Sequence, residues 1–162
     1  MRLAKIASVC FGLVTVSVVS AADAPAQVQD RAAIQNLIVR YTIALDTLDA
    51  DLYASVFTED AVFSFGGNTY TGREQIRGIV TGIRERNAAR PASDTPAPKS
   101  YHAITNTLVE FVSDREARHQ SYWQTISGPS SGPFNVGGMG VYKDTLVKRN
   151  GEWLIQKREI VQ

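Results

Sequence analysis

The chain holds only two histidines, and the first of them, His102, lies near the start of the segment SYHAITNTLVEF, which is typical of a β-strand. A carboxylate that accepts a hydrogen bond from Nδ1 of an imidazole fixes its tautomer and stabilises the imidazolium. Nε2 is then free to remove a proton. The chemistry open to this histidine is therefore general-base catalysis, provided that a carboxylate reaches it.

Asp46 is a carboxylate with reason to seek such a partner. It continues an apolar stripe of a predicted helix, where an unpaired buried charge costs several kcal/mol. If that helix crosses the start of the strand, the carboxylate of Asp46 and the ring of His102 would form a hydrogen bond with each other. The residues alone leave an alternative open, in which Asp46 ends the helix in solvent or caps the next one. His102 would then be a core histidine bonded to the backbone.

Further polar and aromatic residues could complete a pocket around this pair. Tyr41 lies on the main apolar stripe of the same helix, so its hydroxyl either polarises a substrate carbonyl or belongs to the core. Asn106 shares a strand face with His102, because side chains alternate with period two, and it either binds ligand or ties down the sheet. Three apolar side chains are predicted to line a ligand cavity, with core packing as the alternative: Phe65, Trp123 and Met139.

The sequence contains no recognisable metal or cofactor site. Two histidines and one cysteine leave only carboxylates, whose spacing follows no ligand pattern. The glycines of NVGGMGV lie within a predicted strand, whereas a phosphate-binding fingerprint needs a strand-to-helix turn. We expect them to let the sheet bend. The second histidine, His119, is expected at the surface at the head of a strand.

The first 22 residues have the pattern of a secretory signal peptide. MRLAK carries two positive charges, an uncharged apolar run of 14 residues follows, and small residues end the segment at Ala22. We expect cleavage after Ala22, with Ala24 as the second choice. A retained N-terminal anchor is the alternative, although a membrane span needs roughly 20 apolar residues. The mature protein is therefore expected to be secreted or periplasmic.

Removal of this segment takes away Cys10 and leaves 15 basic against 16 acidic residues. A nearly neutral surface does not favour binding to nucleic acid, or to a membrane after cleavage. Residues 23–29 are predicted to be a flexible lead. Residues 30–162 are long enough to bury the core of one domain.

Hydrophobic periodicity places helices first and strands afterwards. A helix capped by Asp30 is predicted to be enclosed, because two apolar stripes cover most of its girth. Shorter helices are predicted over residues 49–57 and 72–90. Strands are predicted at residues 61–65, 69–72, 99–112, 117–126, 134–149 and 153–161, with GGN at 66–68 as the turn between the first two. This order indicates an α+β fold with an antiparallel meander.

Five segments of this pattern resemble the SnoaL-like branch of the nuclear transport factor 2-like superfamily: RAAIQNLIVRYTIALDTLD, DLYASVFTEDAVF, GREQI, HAITNTLVEF and RNGEWLIQKRE. The similarity spans residues 30 to 161. It implies a cone-shaped α+β barrel, in which three N-terminal helices pack into a strongly curved, mostly antiparallel sheet. A pocket would open at one end of the cone.

The branch includes scytalone dehydratase, hexachlorocyclohexane dehydrochlorinase and bile-acid dehydratases, which are lyases sharing an Asp–His pair. The resemblance implies that this pair falls on Asp46 and His102. Tyr41, five residues before Asp46, stands where bile-acid dehydratases have a tyrosine. A dehydrochlorinase arginine that helps the leaving group depart matches Arg149 loosely.

The resemblance therefore implies an exported, cofactor-independent lyase of the dehydratase type, or an isomerase, that acts on a small hydrophobic molecule. Catalysis would rest on Asp46, His102 and Tyr41. The alternative is a non-catalytic protein of the same fold that binds a small ligand or serves as a dimerisation module. A homodimer is expected through the sheet, because the outer sheet face is commonly a dimer interface in this superfamily.

Overall fold

A computed structural model describes residues 23–91, 99–129 and 132–162, so the predicted signal peptide at 1–22 lies outside the described residues. Three helices are formed: α1 (Asp23–Thr47), α2 (Ala50–Ser55) and α3 (Arg73–Ala88). Six strands make the sheet: β1 (Phe57–Phe65), β2 (Asn68–Thr71), β3 (Lys99–Phe111), β4 (Glu116–Gly128), β5 (Asn135–Arg149) and β6 (Glu152–Val161). The fold is the predicted α+β cone. None of the described helices is long and apolar enough to span a membrane.

The six strands form one curved sheet in the order β2-β1-β6-β5-β4-β3. All neighbouring pairs are antiparallel except β1 and β6, which run parallel, so the sheet is mixed and mostly antiparallel. The sheet does not close into a full barrel, because β2 and β3 remain its two edges. Asn150 and Gly151 join β5 to β6 with φ angles of 53° and 85°. Positive φ at both positions is what a tight hairpin turn requires.

Helix α1 begins at Asp23, so the prediction of a flexible lead over residues 23–29 is wrong. The segment holds Gln and Ala, which favour helix, and a proline in the first turn lacks only an N–H that would have no helical partner. Asp30 consequently lies inside the helix and does not cap it. Its Oδ1 accepts hydrogen bonds from Lys148 Nζ at 2.6 Å and Trp153 Nε1 at 2.9 Å.

Only one of the two apolar stripes of α1 is buried. The buried stripe packs into the core: Ile34, Leu37, Ile38, Tyr41 and Ala44. On the second stripe, Val39 and Ile43 are 52% and 49% exposed, so the prediction of an enclosed helix is wrong. The reason is that the open sheet wraps one side of the helix and leaves the other side uncovered.

A row of three ionisable side chains crosses the inner face of the sheet. The strand register sets His119 of β4 opposite Asp144 of β5, and Asp144 opposite Arg158 of β6. Arg158 donates to Asp144 from Nε at 2.8 Å and from Nη2 at 2.6 Å, and His119 Nδ1 lies 2.7 Å from the same carboxylate. His119 is 2% exposed, so its prediction as a surface residue is wrong. Side chains alternate between the two faces along β4, so His119 lies on the inner face together with Ala117 and Trp123.

The opposite charges of Arg158 and Asp144 compensate each other within this row. Burial alone would raise the pKa of Asp144, but the charge and hydrogen bonds of Arg158, together with His119, outweigh burial and hold the pKa below its usual value. The guanidinium also lies 4.0 Å from the ring centre of Tyr41 and 4.3 Å from that of Tyr142. The Arg158 guanidinium therefore packs against the aromatic part of the core from the side of the sheet.

Substitution Arg158→Met should lower the free energy of unfolding by roughly 3–5 kcal/mol, because it leaves Asp144 buried without its cation. Chemical denaturation measures this loss. Since the pKa of Asp144 is lowered in the folded state, its stabilising contribution is present above the unfolded pKa of about 3.9 and is lost as the pH falls through the folded value.

The control for this variant is Arg149→Met, because Arg149 is an exposed arginine paired with the exposed carboxylate of Asp60. Screened surface pairs contribute little to stability. Equal losses in the two variants would contradict the role assigned to the buried row.

Candidate functional site

A cavity of about 320 Å³ lies between the helices and the inner face of the sheet. This volume is at the small end of the ~300–1,000 Å³ typical of ligand pockets. Aromatic and aliphatic side chains dominate its wall: Tyr41, Leu45, Tyr53, Phe63, Phe65, Tyr70, Ile79, Ile83, His102, Trp123, Thr125, Gly138, Tyr142 and Ile160. A cavity of this size and lining suits a small, largely apolar molecule.

His102 lines this cavity and is paired with Asp46, which lines the neighbouring cleft. Oδ1 of Asp46 lies 2.6 Å from Nδ1 of His102, and the two side chains are 17% and 15% exposed. With Nδ1 held by the carboxylate, Nε2 is the ring nitrogen left to exchange a proton. His102 also borders two further clefts, one beside Asp46 and Lys99 and one beside Val39. The imidazole therefore lies where several openings converge.

The position of β3 at the sheet edge explains why Asp46 can reach His102. An edge strand presents backbone N–H groups that no neighbouring strand accepts. Both carboxylate oxygens of Asp46 accept from the backbone N–H of His102, at 3.2 and 3.1 Å. One carboxylate thus holds the strand and the ring together, which fixes the direction of the imidazole.

The end of α1 fixes the other side of the pair. Leu48 follows the helix in a left-handed conformation with φ of 56°, and Asp49 then caps α2 by accepting from the backbone N–H groups of Asp51 and Leu52. The chain turns sharply here, so Asp46 stays in the last turn of α1 and faces β3. Capping of the second helix, one of the alternatives for Asp46, is carried out by Asp49.

Tyr41 is a core residue and a cavity residue at once. Its side chain is buried, its ring lines the cavity, and its hydroxyl oxygen accepts a hydrogen bond from the hydroxyl of Tyr53 at 3.3 Å. Trp123 and Phe65 also line the cavity. Ligand binding by these residues stays a prediction.

Two predicted ligand residues lie elsewhere. Asn106 is exposed, has a φ of 52° and occupies a bulge between Thr105 and Leu108, which breaks the alternation that would have kept it beside His102. Met139 is 60% exposed, because Gly138 and Gly140 face inward and the residue between them faces outward. Among the described residues, neither side chain lines the aromatic cavity.

Two glycines of β5 let the Trp123 ring lie flat against the strand. A Cβ at Gly138 would stand 3.4 Å from the ring, and a Cβ at Gly140 would lie 2.9 Å from Nε1 and would collide with the carbonyl oxygen of Val161. The ring stacks on Tyr142 with an interplanar angle of 18°. These glycines therefore give the cavity one of its walls.

Sequence reasoning missed two residues of the site. Tyr53 lies in the short helix predicted at residues 49–57 and was given no role, yet it lines the cavity and contacts Tyr41. Arg158 lies beneath the cavity, whereas Arg149, the loosely matched arginine, is exposed and bonded to Asp60. A register shift where Thr145 and Leu146 of β5 pair with β6 sets which β6 residues face inward. The alternation visible in the sequence does not reveal such a shift.

Comparison with known proteins supports a single family. The profile of the SnoaL-like domain matches residues 26–159. No curated protein matches the chain significantly.

Among solved structures, a variant of Rv3472 from Mycobacterium tuberculosis, described as a protein of unknown function, is 27% identical with a TM-score of 0.71, over 85% of this chain and 74% of that one. A candidate scytalone dehydratase from Novosphingobium aromaticivorans is 25% identical with a TM-score of 0.68, over 85% and 86%. LinA is similar in fold, with 24% identity and a TM-score of 0.69 over 86% and 89% of the two chains.

Proposed function

The chain belongs to the SnoaL-like domain family, and from that premise we propose that it is a cofactor-independent lyase of the dehydratase type, or an isomerase, acting on a small hydrophobic molecule. The observation that carries the proposal is the 2.6 Å contact between Asp46 Oδ1 and His102 Nδ1 at the wall of an apolar cavity. The candidate scytalone dehydratase among the similar structures supports the same class of reaction.

In the proposed reaction, Nε2 of His102 takes a proton from a carbon next to a carbonyl group. The C–H bond breaks, its electron pair moves toward the carbonyl, and an enolate-like oxygen develops. Asp46 stabilises the imidazolium that forms, and the Tyr41 hydroxyl donates a hydrogen bond to the oxygen. In a dehydratase, the electron pair then forms a C=C bond as the C–O bond to a hydroxyl on the neighbouring carbon breaks. The departing hydroxide takes the proton held on His102 and leaves as water, so the base is restored. In an isomerase, the proton returns to another carbon.

A second candidate function is binding without turnover. The observation that favours it is the mainly apolar cavity wall, in which polar side-chain groups come only from His102, Thr125, the Trp123 indole and the tyrosines among the lining residues. The wall provides burial for an apolar ligand whether or not chemistry follows. Proton exchange separates the two functions, because only a working base removes a proton from carbon.

The general base is tested by deuterium exchange at the α-carbons of small bicyclic ketones, followed by proton NMR in heavy water with α-tetralone and β-tetralone. We expect the protein to accelerate exchange, and His102→Ala to reduce the rate by about 10²–10⁴-fold, the usual contribution of a general base. Asp46→Asn should also slow exchange, because its amide can donate to the ring and select the wrong tautomer. The matched control is Asp60→Asn, because Asp60 is a surface carboxylate paired with Arg149 and does not line the cavity.

A His102→Ala variant with unchanged exchange would contradict the proposed base. So would a wild-type protein that exchanges neither ketone faster than buffer, and binding of the ketones in that case would favour the second candidate function. Circular dichroism of each variant checks that the fold is kept.

We also propose a homodimer formed through the outer face of the sheet. Register pairs place Leu108, Tyr122, Val136 and Met139 on the face opposite Trp123, and all four are exposed. Met139→Glu should turn a dimer into a monomer, because it places a charge on an apolar interface. Sedimentation velocity at micromolar concentrations measures this, and a wild-type monomer would exclude the dimer.

We propose in addition that residues 1–22 direct export. The support is their charge and hydropathy pattern. Expression in a bacterium followed by cell fractionation should yield a processed protein outside the cytoplasm. Its mass should correspond to a chain that starts at Asp23, or at Pro25 for the second cleavage site. Unprocessed protein in the cytoplasm would contradict export.

A further inference from the structure

Two tyrosine hydroxyls meet inside the cavity. The ring centres of Tyr41 and Tyr53 are 5.0 Å apart, and their oxygens are 3.3 Å apart. Each residue is 1% exposed, and both line the cavity that His102 also lines. The hydroxyl pair therefore shares one apolar chamber with the imidazole.

Helix α2 holds Tyr53 in place from two sides. Asp49 caps the start of the helix, and Asp51 accepts a hydrogen bond from Arg77 Nε of α3 at 2.8 Å. The ring itself packs against Phe57 with a centroid distance of 5.5 Å. Because the helix end and the ring are both fixed, the Tyr53 hydroxyl stays directed at Tyr41.

The direction of this hydrogen bond decides what Tyr41 can do. Tyr53 donates and the oxygen of Tyr41 accepts, so this hydrogen bond does not use the proton of Tyr41. That proton can go to the neighbouring Tyr142 hydroxyl when no molecule is bound and to an oxygen of a bound molecule when one is present. Burial raises the pKa of Tyr53 well above its usual value, with smaller contributions from Tyr41, so Tyr53 remains a donor at working pH. A hydroxyl that accepts one hydrogen bond donates a stronger one, because chains of hydrogen bonds polarise each other.

We propose that Tyr53 is a positioning residue that acts through Tyr41, strengthening the hydrogen bond that Tyr41 gives to a negatively charged oxygen of the bound molecule. The proposal rests on the proposed function for the identity of that molecule. The chain of hydrogen bonds from Tyr53 through Tyr41 to the ligand, called the relay below, needs only an oxyanion in the cavity. The partial negative charge that Tyr41 takes on when it donates is stabilised by the Tyr53 hydroxyl and, across the ring, by the Arg158 guanidinium at 4.0 Å.

The relay also defines the chemistry of the ligand. The molecule should carry one oxygen that becomes anionic, such as a carbonyl that enolises or a phenol, at the end that reaches Tyr41. The rest of the molecule should be apolar, because the wall beyond the hydroxyl pair consists of rings and aliphatic side chains.

Binding of para-nitrophenol tests the relay without any turnover. Its ionisation falls near neutral pH and its phenolate absorbs visible light, so titration across pH gives separate affinities for the phenol and the phenolate. Tyr53→Phe should lower the ratio of phenolate to phenol affinity by about tenfold, equivalent to one pKa unit of the bound probe. Tyr41→Phe should lower the ratio further. Tyr122→Phe removes the same hydroxyl from the outer sheet face and should leave the ratio unchanged.

An unchanged ratio in Tyr53→Phe would overturn the proposal, and so would an equal loss of affinity for both forms, since that would mean Tyr53 only packs the wall. A wild-type protein that binds neither form would also contradict it. The outcome is independent of the base, because a protein without ketone exchange can still show the relay, and an active base can lack it. Thermal unfolding of Tyr53→Phe confirms that the measured protein is folded.

Discussion

The site depends on one carboxylate that satisfies two groups of an edge strand. Asp46 accepts from the backbone N–H of His102 and lies 2.6 Å from Nδ1 of its ring. A side chain that only met the ring could rotate with it, whereas a contact to strand and ring together defines the orientation of the imidazole. The same interaction covers part of an exposed sheet edge with α1. Fold stability and the proposed chemistry thus use one contact.

In the rest of the site, ionisable side chains and the apolar wall of the cavity occupy separate layers. Aromatic side chains dominate the cavity wall, and the buried row of His119, Asp144 and Arg158 lies beneath it. Arg158 connects the two layers, because its guanidinium contacts the ring faces of Tyr41 and Tyr142 while Asp144 binds its other side. A cation held in this way favours negative charge in the cavity without occupying the space of a ligand.

Periodicity and turn residues were sufficient to predict the order of helices and strands, and the family resemblance identified the two residues that meet as Asp46 and His102. Local breaks in the pattern were not predictable. The bulge at Thr105 turns Asn106 away, and the register shift near Leu146 sets which β6 residues, Arg158 among them, face inward. A shift of one residue reverses every later side chain, and its cause lies in the neighbouring strand. His119 was misplaced for a related reason, since its burial depends on an acid and an arginine on two other strands.

The central claim is that Asp46 holds His102 with its proton on Nδ1 and leaves Nε2 free to act as a base. Nitrogen-15 NMR of the histidine rings reports the tautomer directly, and the signals of His102 are assigned by their loss in His102→Ala. At a pH where the ring is neutral, we expect a protonated Nδ1 and an unprotonated Nε2, and we expect Asp46→Asn to remove this preference. A wild-type ring that carries its proton on Nε2, or that averages between both tautomers, would contradict it.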